Sequence, residues 1–85
     1  MSYSVHRRMV ADAAVPLERR ASHARSCALH VAEKLAVKRS AVLAHVKQRT
    51  GIDLDMPCSD EALAIAFASI EALRSGAQKL AQSAA

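Results

Sequence analysis

Three side chains capable of metal or nucleophilic chemistry recur at helical spacing: His23, Cys27 and His30, four and three positions apart. On a helix they share one face, which sets two imidazoles and a thiol where zinc or copper ligands could stand. Ligands on neighbouring turns of one helix cannot enclose a tetrahedral ion without a distant fourth. A fourth could come from Cys58, and the paired spacing of zinc motifs is missing. The reading that follows is imidazoles on a solvated flank, Cys27 at the core edge, and neither a metal nor another cofactor. Cys27 with His23 or His30 is also the one nucleophile and base pair in the chain, but no third orienting group or oxyanion site accompanies it. The expectation is therefore a protein that is not an enzyme and works by binding another macromolecule.

The second kind of chemistry is charge. Residues 1–50 hold ten Lys or Arg against three acids, and residues 51–85 hold two against five, so the halves carry +7 and −3. Such a split suits a basic contact surface for nucleic acid or an acidic protein. Its alternative is a solvated surface whose charges attract one another across the fold. Tyr3 and Phe67 are the only large aromatics. A stacking platform for single strands is thus missing, and double-stranded DNA is the nucleic-acid partner to consider.

The basic half contains a patterned run from Val31 to Gln48, with Val-Ala-Glu at 31–33, Val37 after Ala36, and Val42 and Val46 four apart. This stretch resembles the helix-turn-helix of the lac-repressor family of DNA-binding regulators. In that family a first helix begins near a Val-Ala-Glu triplet, a tight turn follows, and a recognition helix packs through two valines. The resemblance implies a recognition helix starting around Arg39, with Arg39, Ser40 and Lys47 toward a major groove and Lys38, Gln48 and Arg49 toward phosphates. Ala36 stands where the turn usually carries Gly, and Leu43 and Ala44 stand where the family presents polar side chains to bases. A transcription regulator or accessory protein is the function so implied.

The elements that must position these residues are all helical. Ala is frequent, period-two apolar runs are absent, and Gly51, Gly76, Pro16 and Pro57 are the only strong breakers. The patterns predict an all-α single domain over 1–85, of three to four helices or a helical hairpin, with helices at roughly 3–14, 16–49 and 60–81. Pro16 suits a first turn, Gly51 a C-terminal cap, Thr50 to Pro57 a connector, and Ser59 with Asp60 and Glu61 a helix start. Leu17, Ala21, Ala24, Ala28, Val31, Leu35, Val42 and Val46 would line one seam of a continuous second helix, and Leu63, Ala66, Ile70, Leu73, Ala77 and Leu80 a seam of the last.

Length sets a fork. Thirty-three helical residues from Leu17 to Arg49 would extend about 50 Å, against a radius of gyration of about 12 Å for a compact chain of this size. Either the helix breaks near 36–38, where a turn would bury Val37, or it projects and pairs. In the projecting case the protein is a helical adaptor or inhibitor that meets a larger protein through Arg20, Lys34, Val37 and Leu43. Both cases predict a homodimer, with Leu63, Ile70, Leu73 and Leu80 pairing the helices. No apolar stretch approaches the roughly 20 residues of a membrane span and no signal-type run follows the N-terminal bases, so the reading is cytoplasmic with reduced thiols.

Overall fold

The computed structural model describes residues 1–80. Within them the chain forms α1 (Tyr3–Ala11), α2 (Leu17–Leu35), α3 (Arg39–Thr50) and α4 (Asp60–Ser75), with no strand among the described residues. Local chemistry accounts for most of the boundaries. The Ser2 hydroxyl accepts a hydrogen bond from the Val5 amide to start α1. The Asp12 carboxylate accepts the Ala14 amide at 2.9 Å, and this Asx turn ends α1 at Ala11, short of the expected 14. Pro16 flanks the start of α2, where its missing N–H costs nothing. Ser59 accepts the Ala62 amide at the head of α4, with Asp60 and Glu61 in the positive first turn. Gly76, at φ 86°, closes α4 after Ser75, so the expected helix over 60–81 is shorter, and residue 81 lies outside the described residues.

The long second helix breaks. Ala36 adopts the left-handed conformation, φ 56° and ψ 43°, and is the one non-glycine residue with positive φ among those described. The Val37 amide donates to the Ala32 carbonyl at 2.9 Å and the Ala36 amide to the Glu33 carbonyl at 3.2 Å. This is the Schellman pattern, which pairs carbonyls that the end of α2 would otherwise leave open. A left-handed alanine costs about 1–2 kcal/mol. Burial on both sides of the turn offsets it, since Val31 and Ala32 on α2 and Val42 and Val46 on α3 are all at or below 1% exposure. The break also settles the length conflict: the radius of gyration is 12.0 Å.

The core lies where the three longer helices meet. Ala24 and Ala28 on α2 are fully buried, and their small side chains let α3 and α4 approach closely, while Leu54 from the loop between α3 and α4 closes one end. The Arg25 guanidinium donates to the Leu54 carbonyl at 2.9 Å and holds that loop in place. Leu63, Ile70 and Leu73 are 1%, 0% and 2% exposed. They pair helices inside one chain and are not open to a second copy, which corrects the expectation for them. Leu80, the fourth residue of that set, lies beyond α4 and packs against the core from the segment after Gly76.

Since Ala36 is exposed and its methyl group adds little to the core, Ala36→Gly should raise the unfolding free energy by about 0.5–1 kcal/mol, the strain relieved exceeding the added freedom of the unfolded chain. Urea denaturation followed by circular dichroism checks this, and a lower midpoint would contradict the strain assignment.

Candidate nucleic-acid interface

The break at Ala36–Lys38 turns α3 away from α2 and divides its surface. Val42, Leu43, His45 and Val46 point inward, whereas Lys38, Arg39, Ser40, Lys47, Gln48 and Arg49 are all exposed. The six residues expected to contact DNA are all exposed but do not share one face: Ser40, Lys47 and Gln48 stand outward, while Arg39 and Arg49, seven positions from the buried Val46 and Val42, lie at the two ends of the helix on its inward side. Ser40, Ala44, Lys47 and Gln48 follow the i, i+4, i+7, i+8 spacing of a single outward stripe. Leu43, which the family pattern would turn toward bases, is buried, so the apolar face anticipated there is reduced to Ala44.

Acidic residues border this surface. The Arg39 guanidinium stands 3.7 Å from the Asp55 carboxylate, and the Lys47 ammonium 3.9 Å from that of Asp53. Both pairs are exposed and long, so each contributes little and yields readily to a stronger anion. Lys38 and Arg49 make no ion pair among the described residues. Elsewhere Arg20 pairs with Asp60 and Arg7 with Glu71, the latter at 2.7 Å. All four pairs join a base of the first half to an acid of the second, so part of the charge asymmetry is spent across the fold.

α3 also borders an open groove of about 950 Å³, lined by Leu35, Val37, Ala41 and Leu73 and, from the outward stripe itself, by Ala44 and Gln48. Val37 remains 37% exposed on this rim, so the turn does not bury it as expected. A sequence signal for the groove existed in Leu35 and Val37, which no single helix can bury together. Gln78 carried none. Its side-chain oxygen accepts from the His45 ring nitrogen Nε2 and from the Ser69 hydroxyl, both at 2.8 Å, and so bolts the segment after α4 onto α3.

The surface expected for an adaptor is dispersed. Arg20 is held by the Val15 carbonyl and Asp60. Lys34 donates to the Arg74 carbonyl at 2.9 Å, which suits the negative end of α4. Leu43 is in the core, and Val37 alone of the four stays available.

The His23, Cys27 and His30 face also rearranges. Cys27 is fully buried, and burial first, then the Glu71 carboxylate, pushes its thiol up to about 11. It packs as a small apolar group. His23 and His30 stay half-buried and meet His6 of α1 instead, at ring-centroid distances of 5.1 Å for His6 to His23 and 5.6 Å for His6 to His30. Tyr3 joins α1 to α4: its hydroxyl donates to Glu71 at 2.7 Å, and the Arg74 guanidinium lies 4.1 Å over its ring. Among the described residues no helix is long and apolar enough to cross a membrane.

Compared with models of protein families, with curated proteins and with solved structures, the chain matches none.

Two outcomes follow from the titrating groups. In the native protein Cys58 should react with a disulfide reagent at neutral pH at least tenfold faster than Cys27, and denaturant should abolish the difference; equal native rates would refute the burial argument. Burial first, then His23, His30 and the Met1 amine, lowers the proton affinity of His6. The unfolded state then binds this proton more readily, so its contribution to stability is present above about pH 6.5 and is lost as pH falls through the histidine range. Urea midpoints should decline over that window, less steeply in His6→Gln; parallel pH profiles would count against it.

Proposed function

We propose that the protein binds double-stranded DNA through α3 as a small regulator or accessory factor. The observation that carries this reading is the three-residue turn at Ala36–Lys38. It produces two packed helices where periodicity alone allowed one, and it leaves Lys38, Arg39, Ser40, Lys47, Gln48 and Arg49 each exposed along α3 and its N-cap. A helix of 12 residues is about 18 Å long, a length that fits a major groove about 12 Å wide. Arg39 in its first turn can donate two hydrogen bonds to a guanine edge once Asp55 releases it, and Lys38 and Arg49, at opposite ends, suit phosphates on the two sides of the groove. Pairing of two copies on adjacent half-sites belongs to this proposal and would use surface other than the buried stripe of α4.

A second reading has one observation in its favour. The groove beside α3 has an apolar floor and no acidic residue in its lining, which suits an apolar segment of a protein partner.

Mobility shift with mixed-sequence duplex at low salt should reveal micromolar binding whose logarithm falls linearly with that of salt concentration. On a selected site Arg39→Ala should cost about 1–3 kcal/mol, whereas Lys38→Ala should weaken all sequences alike and flatten the salt slope by about one. Absence of duplex binding at tens of micromolar protein would overturn the DNA reading.

A further inference from the structure

α1 lies across α2 so that His6 enters between two imidazoles that stand two helical turns apart. His6 Nδ1 and His23 Nδ1 face each other at 2.8 Å, a hydrogen bond in which one ring donates and the other accepts. The His30 ring stands 5.6 Å from that of His6, with its Nε2 3.1 Å from the Met1 carbonyl. All three rings are half-exposed, within reach of solutes. Neutral imidazole is the form that coordinates metal.

We propose that this cluster is a binding site for Zn²⁺ or a similar borderline transition-metal dication, anchored by Nδ1 of His6 and Nδ1 of His23, with His30 as third ligand and water completing the sphere. The donor type selects the ion, since imidazole suits zinc and copper and offers nothing to magnesium or calcium. Among the described residues no three donors already converge on one point. The site is thus a two-nitrogen anchor that the ion completes. Ligands about 2.1 Å from zinc in tetrahedral array stand about 3.4 Å apart, so the paired nitrogens must separate by roughly half an ångström. His30 must rotate inward, exchanging its contact with Met1 for the ion. The proton on the donor Nδ1 moves to Nε2 of the same ring, so binding releases no proton from a neutral pair and one from a singly protonated pair. Cys27, on the same face of α2 in sequence, takes no part because its sulfur is buried. An ion held in this way bridges α1 to α2.

Calorimetric titration of the untagged full chain with ZnCl₂ at pH 7.5 tests the site. One equivalent should bind saturably, with a thermal midpoint raised by the metal and affinity falling as pH drops below 6. His6→Gln and His23→Gln should each weaken binding at least tenfold and His30→Gln by less, with helical circular dichroism retained in all three. Cys58→Ser should bind as the parent does. No saturable uptake up to millimolar zinc would overturn the proposal, as would undiminished affinity in both His6→Gln and His23→Gln, or loss of binding in Cys58→Ser. If the glutamine variants lose helical signal, His6→Asn and His23→Asn serve in their place under the same two outcomes.

Discussion

The left-handed backbone at Ala36 is the constraint on which the other contacts depend. A chain that ran straight from Leu17 to Thr50 would carry Val42 and Val46 far beyond the reach of α4, and no small core could close around them. By reversing direction over Ala36–Lys38 the chain lays α3 beside both α2 and α4, and the carbonyls exposed at the end of α2 are paired within the turn itself. The strain is local and small, while the apolar surface it allows to be covered is spread over three helices. The same reversal places the basic side chains of α3 outside, so fold and candidate interface arise from one torsional choice.

Much of this was legible in the sequence, for identifiable reasons. Ser59 with Asp60 and Glu61 and the prolyl residue before Leu17 are local signals, and local signals survive whatever the rest of the chain does. The repeat of Leu63, Ala66, Ile70 and Leu73 gave a buried helix face correctly, but periodicity cannot say whether the covering surface belongs to the same chain or to another copy. Here α2 and α3 cover it. The break at 36–38 was readable because a continuous helix was too long; Val37 was no guide to it, since the turn leaves that side chain exposed, and Ala itself is the strongest helix former and gives no warning of a turn.

What stayed hidden was non-local. His6 lies 17 residues from His23, and nothing in their spacing announces that their rings touch; that follows from the crossing of α1 over α2. The contact of Gln78 with His45 and Ser69 likewise depends on how the chain returns after Gly76. Charge was partly misleading for the same reason. The excess of bases in the first half reads as a surface awaiting an anion, yet Arg7 and Arg20 already have theirs in α4, and Arg39 and Lys47 have weaker ones in the preceding loop of α4. Of the bases left without an ion pair among the described residues, Lys38 and Arg49 belong to α3 and its N-cap, while Arg8 and Arg19 stand exposed on α1 and α2.

The attachment of α1 carries a consequence of its own. Its helical backbone packs against α2 alone, and its ties to α4 run through Glu71, shared by Tyr3 and Arg7, and through Arg74, which lies over the Tyr3 ring. An element packed on one neighbour alone should open at a lower free energy than the rest, leaving the other three helices folded. Amides of α1 would accordingly exchange with deuterated water ahead of those in the trio, and Tyr3 and Val10, lifted away with it, would bare an oily strip on α2 for as long as the opening lasts.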